Sequence, residues 1–228
     1  MVKNGKLLVI SGSAGSGKGA VLKELFNMAE YKYSVSATTR EPRVGEVDGV
    51  HYHFVTREDF FSRIANGDML EYVEYSDNFY GTLREPIEKM LSESYSVILE
   101  IEVEGALNVK EKFPEAVLIF LSPPTYAELE RRLRERGTET EEVIKRRLEI
   151  SRTESESMSE YDYLVVNGTG EQKKTAFNIH CIAEAEKYKN TLKKDLSREQ
   201  ELIIKTAEEN KTDAQKVQKF LKSYFSLI

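Results

Sequence analysis

Leu7-Leu8-Val9-Ile10-Ser11-Gly12-Ser13-Ala14-Gly15-Ser16-Gly17-Lys18 decides how the rest of the chain is read. Four apolar residues in a row, stopped by a glycine cluster, make a short strand buried on both faces. Helical spacing follows from Lys18 to about Glu30, so strand, tight loop and helix come in succession. Gly12–Lys18 matches the first seven places of G-x-x-x-x-G-K-[ST], a pattern that carries meaning in this strand–helix setting. The glycines let the backbone curl until several N–H groups point inward. The helix start adds partial positive charge and Lys18 a full one, which together cradle the phosphates of a nucleotide. The eighth place departs from the pattern. Gly19 and Ala20 follow the lysine, and neither has the hydroxyl that normally helps to hold Mg²⁺.

Outward from this loop, short strands alternate with helices. Val97–Ile101 and Val117–Leu121 are strands of the same buried kind, and Tyr163–Val166 is a last one. His51–Val55 alternates, Met69–Tyr75 is rich in β-formers and Tyr33–Ser36 reads as extended. Helices are expected from the Thr56 cap to Asn66-Gly67, and from the capping box at Thr125-Tyr126-Ala127-Glu128 to Gly137. Two more begin at Thr140 and at Glu171, the second running to Lys189. Strands separated by helices imply an α/β fold, a parallel sheet with helices on both faces. Residues 33–83 are richer in strand signals and read as an inserted subdomain. Residues 190–228 form a polar, helical C-terminal extension. There Val217, Phe220, Leu221, Tyr224, Phe225 and Ile228 keep helical spacing, to pack on the chain's own domain or to dock a second subunit or partner.

Composition narrows the function. A chain of 228 residues can bury a sizeable core without a disulfide or metal staple. The net charge of −6 argues against general affinity for nucleic acid or anionic membranes, although a local basic cleft is compatible with it. One cysteine, Cys181, and three scattered histidines leave no intrachain bridge and no Cys/His zinc site. No apolar run approaches the roughly 20 residues that span a bilayer, and no signal core follows Met1. A cytoplasmic address is expected.

A second cluster lies at Ser36-Ala37-Thr38-Thr39-Arg40-Glu41-Pro42-Arg43, where two arginines and several hydroxyls gather. Arginine forks match phosphate oxygens two at a time. Gly45-Glu46-Val47-Asp48-Gly49-Val50-His51-Tyr52 follows, then Glu71 and Asn78-Phe79-Tyr80-Gly81-Thr82. Read alone, this is equally a solvated basic loop with core aromatics. Together with Gly12–Lys18, the Glu100–Gly105 stretch, Arg132–Glu142 and Tyr161–Asn167, in order from about residue 5 to 189, it resembles guanylate kinase. The string S-x-T-T-R-x-P-R-x-G-E-x-x-G-x-x-Y is highly specific.

The resemblance implies a phosphate-loop kinase core, with a mixed β/α GMP-binding subdomain at 33–83 and a mobile helical lid at about 126–149. The reaction it implies is transfer of the ATP γ-phosphoryl to GMP with Mg²⁺. Carried over, Gly12, Ser13, Ala14, Gly15, Ser16, Gly17, Lys18, Gly19 and Ala20 hold ATP, with Asn167 near its adenine. Arg40, Arg43, Tyr52 and Tyr80 hold the GMP phosphate, while Ser36, Glu71, Thr82 and Glu102 read guanine. Lys18, Arg40, Arg132, Arg136 and Arg147 serve the transferring phosphate. The chemistry agrees: guanine's N1–H and 2-amino group are adjacent donors that one carboxylate can accept, and adenine would leave Glu71 unpaired. Arg132 and Arg136 stand at i,i+4, on one helix face. The alternative for these arginines is a salt-bridged solvent face.

Four departures from the family pattern stand out: the missing hydroxyl, Glu102 and Glu104 where Asp and Gln are usual, Gly168 in place of Asp, and the long tail. Two competing readings follow. One is a weakened guanylate-kinase-like module binding nucleotide or phosphopeptide; Lys18 and the lid arginines speak against it. The other is a kinase for a different small acceptor, against which the guanine-reading set speaks. Small-molecule substrates, and a monomer or dimer, are expected.

Overall fold

The computed structural model describes residues 5–75, 77–135, 137, 139–189 and 197–225. The elements in order are β1 (Leu7–Ser11), α1 (Lys18–Met28), β2 (Tyr31–Tyr33), β3 (Ala37–Thr38), β4 (His53–Phe54), α2 (Arg57–Ala65) and β5 (Met69–Tyr75). Then come β6 (Asn78–Leu83), α3 (Arg84–Ser92), β7 (Ser96–Glu100), α4 (Val103–Lys112), β8 (Val117–Ser122), α5 (Tyr126–Glu135) and α6 (Glu141–Glu156). A 3₁₀ turn at Ser157–Glu160 leads to β9 (Tyr163–Val166), α7 (Gln172–Lys187), α8 (Arg198–Glu209) and α9 (Ala214–Phe225). Five strands form one sheet in the order β2-β7-β1-β8-β9, with β2–β7 and β8–β9 both paired parallel. β1 and β8 are buried along their whole length, as apolar runs without alternation require.

The chain divides into two compact units, Met1–Val9 with Tyr31–Ala116 and Ile10–Glu30 with Val117–Ile228. The first holds a four-stranded sheet, β4-β3-β6-β5, antiparallel except where β3 meets β4. Its small core is Ala37, Phe60 and Met69, flanked by Val55, Ile64, Phe79 and Leu83. Phe60 comes from α2, whose ends are written locally: the Thr56 side chain accepts from the Asp59 N–H at 3.1 Å, and Gly67 takes φ 77° just beyond the last turn. The extended stretch expected at Tyr33–Ser36 is split. β2 begins earlier, at Tyr31, because it takes its register from β7, Tyr31 opposite Ser96 and Tyr33 opposite Ile98. β3 starts only at Ala37, where the second sheet begins.

In the second unit, Thr125 Oγ1 accepts from the Glu128 N–H at 3.1 Å and starts α5, while the Glu128 carboxylate that a full box would turn back to Thr125 goes to Arg131, Arg132 and Thr169. The tail is part of this unit. α8 starts with a complete capping box at Ser197 and lies on α7. The segment after it adds to the edge of β9, antiparallel: Leu164 N–H donates to Asn210 O at 2.9 Å and Thr212 N–H to Asp162 O at 3.0 Å. On α9, Val217 and Phe220 are buried and Leu221 half-buried. The side chains of Tyr224 and Phe225, and all of Ile228, lie outside the described residues.

Candidate active site

The glycine loop connects β1 to α1. Gly12, at φ 147°, runs against β8, and a side chain there would meet the Leu121 carbonyl oxygen 2.0 Å from its Cβ. Gly17, at φ 91°, is the residue before α1, and its Cβ would lie 2.5 Å from Asn167 Nδ2. Both positions therefore need glycine. Ser16 N–H closes a tight turn onto Ser13 O at 2.9 Å, and Lys18 Nζ folds back onto the Gly12 carbonyl. α1 has no side-chain cap and no acid in its first turn, so its leading N–H groups are left to an anion. Asn167 is 1% exposed, donates from Nδ2 to Ser16 O at 2.8 Å and accepts from Thr175 Oγ1 at 3.1 Å. Its side chain ties Ser16 of the loop to Thr175 of α7. Gly19 and Ala20 are exposed.

Arg132 lies on the same loop. Nη1 donates to Ser16 O at 3.2 Å, Nη2 to Asn167 O at 2.8 Å and Nε to Glu128 at 2.8 Å. Glu128 also takes Arg131 and Thr169, and these donors hold its carboxyl well below the usual carboxylate range. A cleft of about 360 Å³ is lined by Gly15, Gly17, Arg131, Arg132, Asn167 and Gln172, among others. Arg147, on α6, pairs with Glu139 at 2.9 Å. Arg136 lies outside the described residues. Arg131 and Arg134 lie on the exposed face, Arg131 paired with Glu128 and Glu135 and Arg134 with Glu130 and Glu141.

In the first unit, the loop after β3 sets Arg40 among aromatic rings. Its guanidinium carbon lies 5.5 Å from the Tyr52 ring and 5.8 Å from that of Phe54. Tyr52 and Tyr80 meet edge to face at 5.9 Å. Arg40 Nη2 donates to both oxygens of Glu46, at 2.9 and 3.0 Å, and the Arg43 N–H reaches the same carboxylate at 2.7 Å. That pairing holds the Glu46 carboxyl below its ordinary range and Arg40 above its own. An anion is thus already accommodated on Arg40 and the Arg43 backbone. The Arg43 residue itself is exposed, and Ser36 is half-buried with its carbonyl accepting from His53 N–H at 2.8 Å.

Glu71, on β5, is 3% exposed. Thr82 Oγ1, on the paired strand β6, donates to its Oε1 at 2.6 Å. Burial pushes the carboxyl upward, with Thr82 and Lys112 opposing and Glu104 adding to the rise. Room for Oε2 exists because residue 105, on α4, is glycine: a Cβ there would sit 2.9 Å from it. Glu102 is the exposed residue at the start of α4 and makes no side-chain cap.

A family model described as guanylate kinase matches residues 4–180. A guanylate kinase of Streptococcus thermophilus (strain CNRZ 1066) is 50% identical over 191 residues, covering 83% of this chain and 90% of that protein. One of Bacillus anthracis is 51% identical over 167 residues, covering 72% and 82%. This chain belongs to the guanylate kinase family. In structure it is similar to the guanylate kinase of Anaplasma phagocytophilum, with a TM-score of 0.66 at 32% identity over 82% of this chain and 89% of that one.

Within this guanylate kinase fold, sequence reasoning missed three residues that shape the site. Glu46 is six residues from Arg40 in an irregular loop, where no periodic rule pairs them. Gly105 shows its role only once Glu71 is seen against it. Glu128 stood in view, at i,i+4 from Arg132, but only as part of a solvent face; in the structure it is the anchor of the loop-side arginine. Residues 181–228 lie past the family match.

Proposed function

We infer that this member of the family transfers the γ-phosphoryl of ATP to GMP, giving ADP and GDP, and we assign the roles below. The observation that carries the reading is the pairing of two anion cradles with one buried carboxylate. A glycine loop at an uncapped helix start carries Lys18; Arg40, Tyr52 and Tyr80 gather separately; and Glu71 offers an acceptor of the spacing that guanine's adjacent donors need. ATP phosphates sit on the N–H groups of Gly12–Ala20 and on Lys18. The GMP phosphate takes Arg40, Arg43, Tyr52 and Tyr80, and must share Arg40 with Glu46 or displace it. Glu71, oriented by Thr82, reads N1–H and the 2-amino group, with Ser36 and Glu102 as further contacts.

The reaction is an attack by a GMP phosphate oxygen on the γ-phosphorus, with ADP leaving. It asks for alignment and positive charge around three equatorial oxygens. Lys18, Arg132, Arg136 and Arg147 supply that charge, and residues 126–149 act as a lid that excludes water. The subdivision into a core, a GMP-binding part at 33–83, that lid and a C-terminal extension belongs to this proposal. Asn167 serves by bracing the loop; its side-chain atoms are engaged with Ser16 and Thr175.

The family implies Mg²⁺, which keeps waters and phosphate oxygens as ligands and asks few of a protein. The residues here do not fit a directly held ion. Gly19 and Ala20 have no hydroxyl, and no group of three or more His, Cys, Asp or Glu among the described residues could hold a metal. The ion would arrive on the phosphates of ATP. No helix among the described residues is long and apolar enough to cross a membrane. A cytoplasmic enzyme acting on small molecules, as monomer or dimer, fits the acidic composition.

The test is ADP release from ATP with each nucleoside monophosphate in turn. GMP should exceed AMP, CMP and UMP by at least about a hundredfold in kcat/KM. Equal rates with AMP would remove Glu71 as the guanine reader.

A further inference from the structure

α6 turns the face Ile144, Leu148, Ser151 and Ser155 inward, at the 4, 3, 4 spacing of a helix stripe. Two of these four core positions are serines, and both are fully buried at 0% exposure. An apolar stripe needs no hydroxyls there, since buried polar groups demand partners. The partners are specific. Ser151 Oγ donates to Ser13 Oγ at 2.7 Å, and Ser13, the second residue of the glycine loop, is itself 0% exposed. Ser155 Oγ donates to Ser151 O at 2.7 Å, so the second hydroxyl is absorbed within the helix. Ser13 O in turn accepts from Ser16 N–H at 2.9 Å, which ties the serine pair to the loop's own turn.

Arg147 stands four residues before Ser151, on the same side of α6 and about 6 Å along its axis. Apolar packing lets a helix slide by fractions of a turn; a hydrogen bond has a fixed length and direction. We propose that Ser151 is a positioning residue for phosphoryl transfer: its bond to Ser13 pins α6 against the phosphate loop and so fixes the height of Arg147 relative to that loop. This rests on the role given to Arg147 above. Arg147 pairs with Glu139 at 2.9 Å. It therefore has to exchange that carboxylate for a phosphoryl oxygen, and a misplacement of its anchor would be felt in the rate.

The experiment compares Ser151→Ala, Arg147→Ala and the double variant in the full chain, by kcat, KM for GMP, ADP affinity and melting temperature. Ser151→Ala should lower kcat about tenfold while KM for GMP and ADP affinity stay within about twofold, because only alignment is lost. Ser151→Thr, which keeps the hydroxyl, should recover most of the rate. In the Arg147→Ala background, Ser151→Ala should cost nothing further. A fall in melting temperature with kcat intact, or losses that simply add, would overturn the proposal. If Arg147→Ala itself keeps full kcat, the role of Arg147 fails and the proposal with it; if Ser151→Ala alone keeps full kcat, only the proposal fails. Should Ser151→Ala not fold, Ser13→Ala removes the same bond from the other side and is judged by the same comparison.

Discussion

Glu71 is held above the ordinary carboxylate range because burial disfavours its charge more than Thr82 and Lys112 favour it. A group whose pKa rises on folding adds stability that is fully present below its unfolded value and lost as pH rises through the folded one. Ionising this group in the empty protein therefore costs stability. Guanine recognition asks for the opposite state, since only the ionised carboxylate accepts from both donors. Acidification through the raised value should thus weaken GMP while relieving the fold. Glu71→Gln makes both effects visible: KM for GMP should rise roughly a hundredfold, about 2–3 kcal/mol of charged hydrogen bonding. The variant should also melt above the parent at pH 7–8 and level with it near pH 4. A variant that binds GMP normally, or melts lower at every pH, would remove Glu71 from the base site. The loop residues around Lys18 are legible in the sequence because their rule is local, seven consecutive places. The pairing of Arg40 with Glu46 is not, because an irregular loop carries no periodicity to announce it.

Elements whose ends are written in nearby residues can be read from sequence. Thr56 before α2 and Thr125 before α5 are caps that act within three residues. No such local signal marks β6 as a strand: it pairs with β3 and β5, and Asp77, at φ 61°, rather than a glycine precedes it. The tail shows the same limit. Helical spacing predicts α9 but does not say that it packs on α5 and on the turn at Ser157–Glu160, nor that Asn210 before it meets Leu164. α8 lies on α7, the helix that carries Cys181, which is 1% exposed. Ending the chain after Lys189 removes that cover and the Asn210 carbonyl from the edge of β9. In the native full chain the thiol should resist an aromatic disulfide reagent; in the shortened chain it should react within minutes, with a lower melting temperature. A thiol that stays unreactive after truncation would mean that α7 is shielded by something other than α8.

At the scale of the molecule, the net charge of −6 does not report where cations gather, at Lys18 with Arg132 and at Arg40 with Arg43. Whole-chain charge is a sum, so only the motifs make these regions visible. Each lies in its own compact unit, the first in Ile10–Glu30 with Val117–Ile228, the second in Met1–Val9 with Tyr31–Ala116. The assignment of one nucleotide to each can be read without catalysis. A ligand stabilises the states in which its site is intact, by about 2.7 kcal/mol at a concentration of 100 Kd. Amides that exchange by opening that site slow accordingly, about a hundredfold, while amides that open elsewhere do not. With GMP alone, hydrogen exchange should slow in peptides holding Arg40, Tyr52 and Glu71–Thr82. With ADP alone, it should slow in those holding Gly12–Ala20, Arg132 and Asn167. Glu46 gives the first pattern an internal control: since it already occupies Arg40, inorganic phosphate should protect the Arg40–Tyr52 peptides far less than GMP, which gains the Glu71 contacts as well. Protection of the Arg40 region by ADP alone, or of Gly12–Ala20 by GMP alone, would exchange the two assignments and undo the roles given to both clusters.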